Sequence, residues 1–162
     1  MTNLKEQEDI FNLIGSNLKK KIKCFVIGGS AMLYYKLKDA TKYIDIVLFN
    51  EKDRNYILKI LKKLGYAERN SKILYLNKKN VPILLQRGQD RFDLFNRTII
   101  NLKFSDGMVN RSQILYEYAN LIVYVVSPED IVILKCATDR AGDRLDAASI
   151  IKNTNINWDI LF

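Results

Sequence analysis

The order of strand-like and helix-like segments in this chain predicts an α+β fold, a β-sheet flanked by helices and followed by further helices at the C-terminal end. Three observations carry that reading. Short apolar or β-branched runs recur at 24–27, 44–49, 91–95 and 121–126, and segments of helical spacing occupy 3–19, 50–64 and 128–140. Between them, Gly28-Gly29-Ser30 ends one strand and opens a helix. With 162 residues, 48% of them hydrophobic, the chain can bury one full core but not two ordinary ones. Residues 1–162 are therefore expected to form one domain, with its core at about 22–126 and closing helices at about 128–162.

Taken in order, residues 3–19 place Leu4, Ile10, Phe11, Leu13, Ile14 and Leu18 near helical spacing. Glu6, Glu8 and Asp9 come early and Lys19 to Lys21 late, an order that complements the helix dipole. Cys24 to Ile27 reads as a short buried strand that runs into Gly28-Gly29-Ser30. Backbone amides at a helix start, free of a β-carbon, offer a site for phosphate. In the strand Ile44 to Phe49, alternation sets Ile44, Ile46 and Leu48 on one face and Asp45, Val47 and Phe49 on the other. A carboxylate among large apolar residues needs a metal, a cation or hydrogen bonds to offset its burial.

Residues 50–64 make an amphipathic helix ended by Gly65. Segments 72–76 and 82–86, separated by the turn residues 77–80, are expected to pair as strands. Arg91 to Phe95 is a further strand, and Asp93 is its embedded acid. The pattern weakens from 96 to 110, where Ser105-Asp106-Gly107 marks a turn. Leu121 to Val126 reads as a strand. Ser127-Pro128-Glu129-Asp130 then has the composition of a helix start, with Ser as N-cap, Pro at the first position and acids in the first turn. Asp143 is expected to cap a last helix with Leu145, Ala148 and Ile151 on its core side, and the apolar residues Trp158, Ile160, Leu161 and Phe162 to dock on the body.

Charge and composition exclude several classes of chemistry. Residues 1–81 hold 17 Lys and Arg against 8 Asp and Glu, whereas 82–162 hold 9 against 10, within a net charge of +8. A basic half suits an anionic ligand, whether nucleotide, nucleic acid or acidic partner. The absence of histidine excludes Ser-His-Asp and Cys-His catalysis and the His-containing zinc sites, so a metal would be held mainly by oxygen. Cys24 and Cys136 lie in apolar surroundings 112 positions apart and read as buried thiols of a reduced compartment. The longest apolar run, Leu121 to Val126, falls far short of the roughly 20 residues of a membrane helix. With no secretory signal at the start, the expectation is a soluble cytoplasmic protein.

Gly28-Gly29-Ser30, then 12 residues, then Tyr43-Ile44-Asp45-Ile46, then Asp93 on a later strand resembles the nucleotidyltransferase superfamily of the DNA polymerase β type. Within it, the chain is similar to the small minimal-type nucleotidyltransferase-like proteins of prokaryotes. The run from Ser127 through Lys135, Arg140, Asp143 and Asp146 is similar to their closing helices. The resemblance implies a mixed β-sheet flanked by helices and an in-line attack on the α-phosphate of a nucleoside triphosphate, ATP-like. It implies Mg2+ clamped by carboxylates, with Asp45 and Asp93 as metal ligands and catalytic acids. Gly28, Gly29 and Ser30 then stand at the triphosphate and Lys135 at a phosphate, with RNA or protein as acceptor. From the residues alone, Lys135 reads first as a helix-surface lysine pairing with Asp139 one turn on.

One position departs from the pattern. Tyr43 stands where the first acid of an Asp-hydrophobic-Asp pair belongs, and a tyrosine is neutral near pH 7 and a poor magnesium ligand. Asp39 is the nearest other acid. Three readings therefore stand: an active nucleotidyltransferase, a catalytically degenerate member that binds nucleotide or a protein partner such as a toxin, and a basic nucleic-acid binding domain.

Overall fold

The computed structural model describes residues 1–76 and 78–162. The first helix, α1 (Leu4–Asn17), begins with a capping box in which Asn3 and Glu6 each accept the other's backbone N–H at 2.9 Å. It buries Ile10, Phe11 and Ile14 against the sheet. Strand β1 (Ile22–Ile27) leads directly into α2 (Gly28–Tyr34), and β2 (Ile44–Leu48) follows. Asn50 caps α3 (Glu51–Lys63), whose first turn is acidic and last turn basic and whose buried stripe is Ile57, Ile60 and Leu61.

After these come β3 (Ala67–Arg69), α4 (Ser71–Tyr75), β4 (Ile83–Arg87), β5 (Asp90–Phe95), β6 (Thr98–Ile99) and β7 (Leu102–Lys103). The remainder is α5 (Asp106–Arg111), β8 (Gln113–Tyr118), β9 (Leu121–Val125), α6 (Pro128–Thr138), α7 (Ala141–Asn153) and α8 (Trp158–Leu161).

Among the described residues the main sheet has seven strands in the order β3-β4-β5-β2-β1-β9-β8. It is mixed, as expected: β1 pairs parallel with β9 and β2 parallel with β5, while β1 is antiparallel to β2. The central strands are covered on both faces, which explains their near-continuous apolar composition. Phe25, Phe92, Phe11 and Phe104 are among the largest side chains of the core. No helix among the described residues is long and apolar enough to cross a membrane.

Several local expectations change. The segment expected as a strand at 72–76 is the helix α4, because Asn70 caps it by accepting the Lys72 N–H at 2.9 Å. The partner of β4 on that side is β3 instead. A short apolar run has no period that separates strand from helix, and the cap decides. The expected turn at 77–80 includes Asn77, which lies outside the described residues. Ser105 is the N-cap of α5, so the turn expected at Ser105-Asp106-Gly107 is a helix start.

The last long helix starts at Ala141, and Asp143 caps it from the third position by accepting the Arg140 N–H at 3.1 Å. Its inner face is Asp143, Ala147 and Ile150, whereas Leu145 is 75% exposed and Ala148 also faces solvent. The acids turn inward because Lys135 is buried beneath them. Cys136 is exposed and only Cys24 is buried; both thiols are free. Of the C-terminal apolar residues, Leu161 packs on the core while Trp158 and Phe162 stack on each other in solvent.

Candidate functional site

The chain's turn from β1 into α2 sets the floor of a cleft. Gly28 takes φ +59°, and a β-carbon there would lie 2.6 Å from Asp45 Oδ2. Only glycine allows both the left-handed turn and the carboxylate behind it. A β-carbon on Gly29 would lie 2.6 Å from Thr41 Oγ1, so this backbone too is closely approached. Ser30 is fully buried: its hydroxyl donates to the Tyr43 carbonyl at 2.8 Å and accepts the Asp45 N–H at 3.3 Å. The Ser30 side chain thus fastens α2 to the start of β2 and faces the interior.

Parallel pairing of β2 with β5 sets Asp45 opposite Asp93 in register. The two acids singled out in the sequence are therefore neighbours in one row of the sheet. Burial first, and then the negative charge of Asp93, push the Asp45 carboxyl up to about 7 against the pull of Lys135, Arg140 and Arg91. Asp93 is 1% exposed and fully engaged. Arg91 donates to its two oxygens at 2.7 and 2.8 Å, and the Tyr75 hydroxyl donates to Oδ2 at 3.1 Å. This is a bidentate charge-assisted pair of the strong kind.

Tyr43, in the place of the missing acid, lies beneath that arginine. The Arg91 guanidinium carbon stands 3.7 Å from the Tyr43 ring centre, a cation–π contact. Asp39 is exposed and does not line the cleft.

Helices α6 and α7 close the other wall. Lys135 is buried and donates to Asp143 at 3.0 Å and to Asp146 at 2.7 Å; the expected pair with Asp139 is absent, because Asp139 bonds Arg144. Burial opposes charge on Asp143, but hydrogen bonds from Arg140, Thr138 and Lys135 outweigh it and hold its carboxyl well below the usual range. Lys38 reaches across from the segment after α2 to Asp146 at 2.9 Å. This network ties the closing helices to the sheet end.

Between the walls lies a groove of about 410 Å³ lined by Gly29, Lys38, Thr41, Lys42, Tyr43, Asp45, Lys135, Arg140 and Asp146. An inner pocket of about 40 Å³ continues it past Gly28, Asp45 and Tyr75. The groove is of the size of small-ligand sites, roughly 300–1,000 Å³. Gly28, Gly29, Asp45 and Lys135 line this space, and Asp93 is in register beside it. The residues that sequence reasoning missed are Arg91, Tyr75 and Lys38; Arg140 was named there only as part of the closing-helix run. Arg91 was accessible in principle: two residues before Asp93 on a strand, it shares its face.

These donors do not fit a two-magnesium centre. Among the described residues no three acidic, histidine or cysteine side chains come together to hold a metal ion. Asp93 has its oxygens occupied, and Asp45 is the one acid of the pair with no side-chain hydrogen bond among the described residues.

Two solved structures share the fold. The solution structure of the antibiotic-resistance factor ANT(2'')-Ia superposes with TM-score 0.63 at 10% identity, over 99% of this chain and 89% of that one. A crystal structure of ANT(2'')-Ia in complex with adenylyl-2''-tobramycin gives TM-score 0.56 at 11% identity, over 90% and 88%. At such identities the likeness speaks for the fold alone, which is nucleotidyltransferase-like. No significant match is found among curated proteins. Residues 3–162 match the family DUF6036, described as nucleotidyltransferase of unknown function. This chain, with its glycine turn, paired strand acids and closing helices, belongs to that nucleotidyltransferase family.

Proposed function

We propose that the cleft binds a nucleoside triphosphate of the ATP type and supports nucleotidyl transfer to an RNA or protein hydroxyl, at a rate limited by the single unpaired carboxylate, Asp45. The observation that carries this reading is the placement of Asp45 directly behind the bare Gly28 backbone at the junction of groove and inner pocket. The glycine backbone lets the phosphates approach, and Lys42 and Arg140 at the groove supply positive charge. Lys135, committed to two carboxylates, neutralises Asp143 and Asp146 at the groove wall rather than meeting phosphate itself.

In the reaction the acceptor oxygen forms a bond to the α-phosphorus as the bond to pyrophosphate breaks. The hydroxyl proton passes to Asp45, whose carboxyl titrates near 7 and so suits a general base. Were a magnesium ion to accompany the triphosphate, Asp45 would be the one acid of the strand pair left to hold it, since the Asp93 oxygens are occupied, and in that case it would not also serve as the base.

A second reading is favoured by the Arg91–Asp93 pair: nucleotide binds and nothing is transferred, as in a degenerate member that serves a protein partner. Titration with ATP, GTP, CTP and UTP, followed by incubation of α-labelled nucleotide with RNA and protein acceptors, separates the two. Saturable binding, slow labelling of acceptor with release of pyrophosphate, and loss of labelling in Asp45→Asn are expected. Binding without labelling selects the second reading. Absence of binding by any nucleotide overturns both, and salt-sensitive RNA binding that survives Asp45→Asn would point instead to a basic nucleic-acid module.

A further inference from the structure

We infer that the Arg91 guanidinium is a built-in cation standing where a metal ion would meet Asp93, and that Tyr43 holds it there. The cleft then accepts at most one divalent cation, at Asp45. The inference rests on the nucleotidyltransferase reading of the cleft, since that reading is what makes a metal at Asp93 the expectation.

Three observations converge on it. The first is saturation: two guanidinium N–H groups and the Tyr75 hydroxyl occupy the Asp93 carboxylate, and the Arg91 side chain is itself only 11% exposed. A metal ion would have to break two charge-assisted bonds to a cation tethered two residues away, whose effective concentration is far above that of any free ion.

Strand geometry is the second. Arg91 and Asp93 rise from the same face of β5, so their pairing is built into the local chain. The third is the exchange at position 43. The Tyr43 ring supports the guanidinium at 3.7 Å, whereas an acid at that position would face the same cation. Loss of an acid at 43 and presence of an arginine at 91 are thus two halves of one substitution: a neutral ring can carry a cation that an acid would draw away from Asp93.

One consequence separates this from a simple missing ligand. If Tyr43 alone were the defect, Tyr43→Asp would create a metal site. With Arg91 in place, the introduced carboxylate pairs with the guanidinium, and no site forms until Arg91 is also removed.

Binding of Mn2+ alone, without nucleotide, tests this by the loss of the free-ion paramagnetic resonance signal. The wild type is expected to bind no more than one ion, and Tyr43→Asp is expected to gain no second one. The double variant Tyr43→Asp with Arg91→Met should gain a site at least about tenfold tighter, lost again on adding Asp93→Asn. A second ion in the wild type, or a new site in Tyr43→Asp alone, overturns the inference. So does a double variant that is folded by circular dichroism yet gains nothing. If it does not fold, Tyr43→Asp, which keeps both Arg91 and Asp93, decides the question. Nucleotide titration fails or succeeds independently of these Mn2+ readings, so the two proposals fall separately.

Discussion

Asp45 and Asp93 occupy one row of the sheet on neighbouring parallel strands, yet their surroundings treat them in opposite ways. Asp93 is sealed at 1% exposure with an arginine and a tyrosine on its oxygens. Asp45 is partly exposed at the groove and makes no side-chain hydrogen bond among the described residues, so burial and its neighbour's charge raise its titration to about 7. Register places two side chains together; it does not decide what they do. Here the residues two positions earlier in the chain mark the difference: Arg91, on β5, pairs with Asp93, whereas Tyr43, just before β2, lies under Arg91 and offers Asp45 no hydrogen bond. One acid becomes a structural counter-ion and the other stays available for chemistry.

The largest effect should come from breaking the sealed half. Arg91→Ala leaves a buried carboxylate without its cation, which typically costs about 3–5 kcal/mol. Urea denaturation should show a loss of that order, and adding Asp93→Asn should return most of it, because the stranded charge is then gone. Equal losses in the single and double variants would mean that Arg91 acts through packing, and the contrast between the two acids would dissolve.

Asp45→Asn probes the open half and has the opposite sign. Its carboxyl titrates higher in the folded chain than in the unfolded one, so the folded state keeps a proton that the unfolded state has released. Stability contributed in this way is present below the ordinary carboxylate range and is lost as pH rises from about 4 to about 7. Asp45→Asn should abolish that decline and be more stable than wild type at pH 8 by up to about 4 kcal/mol, read from denaturant midpoints across pH. Asp143, held low by Arg140, Thr138 and Lys135 against its burial, loses its contribution only as pH falls below the usual range, so the two windows do not overlap. A pH-independent gain on Asp45→Asn would show that Asp45 is not the titrating group.

Much of this architecture was legible because strand composition, helix caps and the glycine turn are local signals. The helix start at Ser127-Pro128 and the strands that carry Asp45 and Asp93 follow from them directly. What was not legible depends on contacts distant in sequence. Lys135 reads as a surface lysine until α7 folds back and brings Asp143 and Asp146 over it, which also turns Leu145 outward against its apolar character. Tyr75 reads as part of a strand until Asn70 caps a helical turn that carries its hydroxyl to Asp93. Tyr43 was visible as a substitution, but its meaning was not, since that lies in the arginine above its ring.

Position 43 gives the finest test of the contrast, with the smallest expected effect. If the ring serves only to carry the guanidinium, Tyr43→Phe keeps the cation–π face and should change stability little, whereas Tyr43→Ala should cost about 0.5–1 kcal/mol. The cost should vanish in an Arg91→Met background, because the ring then has no cation to support. A loss in Tyr43→Phe equal to that in Tyr43→Ala would place the contribution in the phenol hydroxyl rather than the ring. Tyr43 would then be a polar group of the groove wall, and the coupling of positions 43 and 91 would fail as the explanation of why Asp93 is sealed.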